Sequence, residues 1–178
     1  WTSEAWGRDA VSSAAWILAQ TKTMTVGTAI MQMSARTPTM AAMTAMTLAE
    51  MSDGRFVMGI GPSGPQVIEG WHGVRFAKPV TRTRETIEIL RMVTQGERLE
   101  YDGVVHTLPL PGGEGKALRS AVPPVDVPVF VASLGPANLH LTGEVADGWI
   151  GNSFFTETAD VFFDVISDGA ESAGRTLD

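Results

Sequence analysis

The chain has 178 residues, 44% of them apolar and 19% charged, with a formal net charge of −7. That is the composition of one sizeable globular domain, and the acidic balance argues against a nonspecific nucleic-acid or membrane-surface binder. With no cysteine there is no disulfide, thiol nucleophile or thiolate metal site, and no uncharged apolar run reaches the roughly 18 residues of a spanning helix. No basic-then-apolar leader opens the chain, which starts at Trp1. The expectation is a cytoplasmic protein that is either processed or a fragment.

Residues 1–4 read as the tail of a strand. Asp9 is a suitable N-cap for a helix over residues 10–20, where Val11, Ala14, Ala15, Leu18 and Ala19 recur at helical spacing. Residues 23–31 (TMTVGTAIM) read as one buried strand, β-branched and nearly chargeless. Gly27 inside it points to a bulge or a close backbone approach. Thr37-Pro38 is a helix start, a capping residue followed by proline, and Gly54 ends that helix. Met40, Met43, Met46, Leu48 and Met51, with four alanines, leave Glu50 as the only charge over residues 38–52. A helix apolar nearly all round is expected to be buried on two sides, one against a sheet and one against a second subunit. Seven of the nine methionines lie between Met24 and Met51, and at helical spacing they read as core or subunit interface.

Phe56-Val57-Met58 opens a short apolar run that ends in Gly59-Ile60-Gly61, a buried strand leading into a loop. Pro62, Gly64, Pro65 and Gly70 make the following stretch read as neither helix nor strand. It nevertheless carries Trp71 and His72, and loops after buried strands are where α/β proteins hold ligands. Lys78-Pro79 starts a helix to about Gln95 with a buried stripe of Ile87, Leu90 and Val93. Arg82, Arg84, Glu85, Glu88 and Arg91 fall mostly on its wet side, Arg84 and Glu88 four apart. A hairpin around Asp102-Gly103 and a Gly/Pro-rich excursion with Lys116 and Arg119 follow, over about residues 97–126. Residues 127–133 (VPVFVAS) are another buried strand, and residues 137–145 a helix. Trp149-Ile150-Gly151 is a short strand. Thr156 or Thr158 caps a last helix to about Ala173, with Phe162, Phe163 and Val165 as its core candidates. Strand and helix alternate, which is the pattern of an α/β protein with a parallel sheet in a single domain.

Gly59-Ile-Gly-Pro-Ser-Gly64 spells G-x-G-x-x-G after a strand. A dinucleotide site needs a helix to start at once, and Pro65 with a long loop argues against one. Two readings stay open: a loop in which Gly59, Gly61, Ser63 and Gly64 offer amides to a phosphate or similar chain, or a turn that needs glycine for backbone reasons alone. At Val131–Pro136 a strand end feeds a helix start, so Ser133, Leu134 and Gly135 would form a second anion cradle, or an ordinary turn. His72, His106 and His140 show no ligand spacing, so no metal site is expected. His106 and His140 read as surface or packing residues. Arg36 either meets an anionic cofactor tail or is a solvated charge.

Several blocks in order resemble one family: SARTP (Ser34 to Pro38), SDGRFVMGIGPSGPQVIEGWHG (Ser52 to Gly73), KPVTRTRE (Lys78 to Glu85) and GEVADGW (Gly143 to Trp149). They are similar to blocks of the luciferase-like flavin and deazaflavin oxidoreductases, in particular the coenzyme F420-dependent branch. The resemblance covers nearly the whole chain. It implies a (β/α)8 TIM-barrel-type fold that binds coenzyme F420, or alternatively FMN, at the C-terminal ends of the strands. The cofactor carries the chemistry, a hydride transfer or in some members oxygen activation. It also implies a non-proline cis peptide, by position Ala29–Ile30, behind the cofactor ring, and amide contacts at both glycine sites. Glu4 and Trp6 would face substrate or ring, and His72 would contact substrate. Some relatives have a histidine about where Ala5 stands, so sugar-phosphate dehydrogenase chemistry is not expected here. A complete barrel takes about 250 residues. This chain is expected to run from the second strand to the sixth helix, five or six strand–helix units of an incomplete barrel. The expected partners are a small-molecule substrate and a second copy bound through the helix at 38–52, with no nucleic acid and no membrane. The alternatives are an FMN-dependent monooxygenase and a truncated, non-catalytic paralogue acting through dimerisation.

Overall fold

A computed structural model describes residues 1–152 and 154–177 of the chain. Its centre is a parallel sheet curled as about half of a barrel. Strand β3 (Phe56–Gly61) lies in the middle. On one side it pairs with β1 (Val26–Gly27) and β2 (Met31–Gln32), on the other with β6 (Val129–Ala132), which pairs with β7 (Gly148–Ile150). All these pairings are parallel. Thr2 bridges Thr28 in parallel and so marks the next strand position outward.

The single strand expected at residues 23–31 is two short strands flanking a bulge. Thr28 turns its hydroxyl inward to Gly59, donating to the carbonyl at 2.8 Å and accepting from the amide at 3.0 Å. These bonds replace the ladder that the bulge interrupts, as buried main-chain groups require. The Ala29–Ile30 peptide in the bulge is cis, as the resemblance implied.

The helix side of the sheet is the main core. Phe56, Met58 and Ile60 alternate with Val57, Gly59 and Gly61 along β3, and the first set is wholly buried with Val129 and Val131 of β6. Each such side chain is worth about 1.5–3 kcal/mol of burial. Helices α1 (Ala10–Gln20), α2 (Pro38–Met51) and α4 (Pro79–Thr94) cover that layer. The Asp9 side chain caps α1 by accepting from Ser12 N at 2.7 Å, and Thr37 caps α2 by accepting from Met40 N at 3.2 Å. In α2 the alanines, Leu48 and Met46 are buried, while Met40, Met43 and Met51 are exposed.

Several expectations need correction. The stretch after β3 contains a short helix, α3 (Pro65–Gly70), with Gly64 as N-cap and Pro65 at the first position. Proline's fixed φ suits that position, and Val67 and Ile68 supply a buried face. Glu85 on α4 is buried, not solvated. Its carboxylate accepts from the amides of Val104, Val105 and His106, and so ties the turn between β4 (Tyr101–Asp102) and β5 (Thr107–Leu108) to the helix. Arg84 pairs with Glu144 rather than Glu88, and Glu88 accepts from the Tyr101 hydroxyl. Helix α6 (Asp160–Ser172) starts without a side-chain cap and buries Ile166, Gly169 and Ala170 against α5 (Pro136–Val145), leaving Phe163 exposed. A Cβ on Gly143 or Gly169 would meet main chain of the facing helix at about 2 Å, so close backbone contact selects glycine there. Apolar rings at the start of α6 instead gather around Trp149, whose ring centroid lies 5.0 Å from that of Phe162.

Candidate active site

The C-terminal ends of the parallel strands all open on one edge, and two features sit there. The first is a cleft of about 550 Å³. Ile30 of the cis bulge, Pro62 and Ser63 after β3, Phe76 and Val80 before and within α4, and Ile150 of β7 form its largely apolar walls. Its far end is the turn from β6 into α5, Ala132 to Asn138. Of the residues expected at the cofactor, the cleft brings together Ile30, Ser63, Ser133, Leu134 and Gly135.

Gly135 is the N-cap of α5, and a Cβ there would meet nothing within 4 Å. Among the described residues, the main-chain N–H groups of Leu134, Gly135 and Ala137 have no main-chain acceptor, while Asn138 N and Leu139 N both bond to Gly135 O. The open amides lie at the positive end of a ten-residue helix. Asn138 adds an independent sign. It is 8% exposed, lines the cleft, and its Oδ1 is buried with no partner. A buried polar atom left without a partner costs roughly 1–3 kcal/mol. An amide oxygen only accepts, so a ligand group that completes it is a donor such as a hydroxyl, while the open amides suit an anion. The sequence reading missed Asn138, although its place in the first turn of the helix after the glycine cradle was a usable signal.

Ser133 lines the cleft, and its side chain and carbonyl brace the loop. Its hydroxyl is shared with Thr142 at 2.8 Å, and its carbonyl accepts from Trp149 Nε1 at 2.9 Å. It fixes the loop and has no hydroxyl to spare. Gly59 and Gly61 differ from expectation. A Cβ on Gly59 would lie 1.7 Å from Thr28 O, and one on Gly61 would lie 2.5 Å from Ile30 Cδ1. Main chain of the bulge requires glycine at 59, whereas at 61 the crowding atom is the end of the Ile30 side chain; neither glycine lines the cleft. Gly64 is the N-cap of α3. The helix that a dinucleotide motif demands does start there, but it has only six residues and the glycines before it are sealed. Ala29 stands in the bulge beside Ile30.

The second feature is a polar chain running across the strand ends. Glu4 is clamped by Arg36 in a two-point ion pair of 2.6 and 2.7 Å, and it also accepts from Gln32 N and Ala10 N. Burial pushes the Glu4 carboxyl up, but the Arg36 guanidinium and the two amides outweigh it and hold the group below the usual carboxylate range. An ionised, fully bonded carboxylate is a poor proton donor, so Glu4 orders this edge. Arg36 is the other half of the clamp, not a free anion contact. Gln32 passes the chain on to His72, whose Nε2 lies 2.8 Å from Gln32 Oε1. Helix α3 holds His72 in place, because His72 N and Trp71 N both donate to Val67 O. Trp6, 67% exposed, and Trp71 flank a small groove of about 210 Å³ that Val67, the acceptor of His72 N, also lines. His106 and His140 lie elsewhere, His140 against Glu144 on α5. No cluster of metal-ligating side chains occurs among the described residues, and no helix among them is long and apolar enough to cross a membrane.

The chain is 42% identical over 97% of its length to a Mycobacterium tuberculosis protein assigned as a coenzyme F420-dependent oxidoreductase, of which it covers 52%. Among solved structures, the F420-dependent tetrahydromethanopterin reductase of Methanopyrus kandleri superposes on 99% of the chain with a TM-score of 0.86 at 23% identity, the chain covering 54% of it. The FMN-bound oxygenating constituent of 3,6-diketocamphane monooxygenase from Pseudomonas putida covers 99% of the chain with a TM-score of 0.77 at 19% identity, the chain covering 53% of it. At these identities both structures speak for the fold alone, TIM-barrel type, of which this chain forms an incomplete barrel. The chain spans about half the length of the relatives it matches. The model of the luciferase-like monooxygenase family matches residues 1–178. A match over the whole chain shows that it belongs to the luciferase-like monooxygenase family.

Proposed function

We propose that the chain carries the cofactor half of an oxidoreductase that transfers a hydride between coenzyme F420 and a small organic molecule. The observation that carries this reading is the cleft that joins an apolar slot at Ile30 to the open amides of Leu134, Gly135 and Ala137 with the unpartnered Asn138. A bound deazaflavin supplies a hydride at its ring. The residues present fit such a group: Ile30, Val80 and Ile150 exclude water from a flat ring, and the α5 terminus takes an anionic chain. The groove between Trp6 and Trp71 offers apolar surface for the substrate, and His72 follows Trp71 in the chain. The F420 assignment of the 42%-identical relative favours this cofactor over FMN. The exposed Met40, Met43 and Met51 favour α2 as the face that meets a second copy.

The test is a fluorescence-quenching titration of the chain with F420 and, separately, with FMN. Micromolar binding of F420 with much weaker FMN binding supports the proposal. Preference for FMN moves the assignment to an FMN-dependent monooxygenase. Binding of neither means that the incomplete barrel does not hold the cofactor and that the function belongs to a longer chain or to its interfaces, the latter measured by sedimentation of the wild type against Met43→Glu.

A further inference from the structure

Gln32 is 1% exposed at the end of β2. Its Nε2 donates to two main-chain carbonyls, Glu4 O at 3.1 Å and Ala5 O at 2.9 Å. An amide nitrogen has two hydrogens, and both are used. Turning the amide over would set its oxygen against two carbonyl oxygens, where it has nothing to accept. The orientation is therefore dictated by the network. Oε1 must face His72, and an amide oxygen only accepts. The 2.8 Å contact is satisfied only when His72 Nε2 carries a proton. Neutral His72 is then the Nε2–H tautomer, and Nδ1 holds the lone pair.

We propose that Gln32 is a positioning residue that locks His72 in the Nε2–H tautomer, so that Nδ1 is the atom that exchanges a proton with the substrate. The catalytic part rests on the hydride-transfer reading above. The main chain around it keeps the lock stiff. Glu4 and Ala5, which supply the two carbonyls, are fixed by the Glu4–Arg36 clamp, and His72 is fixed by Val67 O. In the reducing direction, hydride from the reduced deazaflavin adds to the carbon of a C=O or C=N bond. The π pair of that bond moves to the heteroatom, which takes the proton from Nδ1–H of the imidazolium. The cofactor is oxidised, the substrate reduced, and His72 is left neutral with its proton on Nε2. In the oxidising direction Nδ1 accepts the substrate's O–H or N–H proton as hydride leaves the carbon. The bond to Gln32 persists in both states, because Nε2 stays protonated throughout.

The experiment is a long-range ¹H–¹⁵N correlation of the histidine rings in the ¹⁵N-labelled chain, with His72 assigned from the His72→Asn spectrum. At alkaline pH, His72 is expected to show a protonated Nε2 and an unprotonated Nδ1. A protonated Nδ1, or shifts averaged between the tautomers, would overturn the lock. This measurement needs only the wild-type protein. Gln32→Met keeps the side-chain length and removes the acceptor, so the His72 shifts should become averaged. An unchanged spectrum in a folded Gln32→Met chain also sinks the proposal. F420 titration separates the two levels of the argument. His72→Asn should leave the dissociation constant within about twofold, because His72 does not line the cleft; a tenfold loss would make it a cofactor ligand and overturn the proton role. Failure of the wild type to bind F420 removes the catalytic part, while the ring spectrum still decides the lock.

Discussion

The chain places glycine at the end of β3 and in the turn that follows β6, and uses it in opposite ways. At the end of β3, Gly59 and Gly61 face the bulge of the neighbouring strand, and the room a side chain would need is taken by Thr28 O, Ile30, Ile150 and Ala132. At the end of β6, Gly135 faces open space and its neighbours' amides are free. The same residue type serves packing in one place and presents a surface in the other. The difference comes from the neighbouring strand. A bulge reaches across to β3, whereas β6 runs straight into a helix whose first turn has spare donors. Glycine marks close approach, and what approaches is decided elsewhere in the chain.

Substitutions can break this comparison. The largest effect is expected for Gly59→Ala, whose new methyl would press on main chain that cannot swing away. A loss of roughly 3 kcal/mol or more in urea unfolding is expected, in line with overpacking at a fixed backbone. A loss below about 1 kcal/mol would mean that the bulge yields. Next comes Glu4→Gln, which leaves Arg36 half-buried without its counter-charge. Breaking such a pair costs about 3 kcal/mol. The pH dependence has a definite sign. The Glu4 pKa is lowered in the folded state, so its contribution is complete above the unfolded value of about 4.3 and fades as pH falls through the folded value. Glu4→Gln should therefore flatten the acid side of the stability profile; a parallel profile would assign that limb to other carboxylates.

Smaller effects are expected at the β6 end. Trp149→Phe removes the donor to Ser133 O and should cost about 1 kcal/mol, seen as a lower urea midpoint. It should also weaken cofactor binding, because the cradle loses its brace. Smallest in stability is Gly135→Ala, expected within about 0.5 kcal/mol of the wild type. Its methyl would project into the space proposed for the ligand, so binding should fall by about tenfold in the quenching titration. Equal losses of stability in Gly59→Ala and Gly135→Ala would erase the distinction between the two strand ends.

Much of the fold was legible because local rules and tertiary needs agree. Asp9 and Thr37 cap the helices they were expected to cap, and the apolar periods of α1 and α2 face the sheet. Elements went astray where two local rules competed. Gly64-Pro65 reads equally as a turn or as a helix start, and only the burial of Val67 and Ile68 settles it as α3. Glu85 was placed on the wet face by helical period alone, since the period cannot reveal three turn amides converging from a distant hairpin. The turn at Leu134 and Gly135 was visible as strand, glycine, helix. The tasks of Glu4, Gln32 and His72 were not, because the bonds that Gln32 makes to Glu4, Ala5 and His72 join residues 27 to 40 positions apart.

By itself the sequence determined the alternation of strand and helix, the capped starts of α1 and α2, the glycine turn before α5 and, through its ordered blocks, the family. These follow from short-range sterics, hydrogen bonding within a turn and the period of apolar residues, all of which act over a few neighbours. Only the tertiary structure decided which glycines are sealed and which are open, that Glu4 is spent on Arg36, and that Gln32 turns its oxygen to His72. Those outcomes depend on which main-chain atoms of remote segments come within about 3 Å, the range at which a hydrogen bond or a clash is decided.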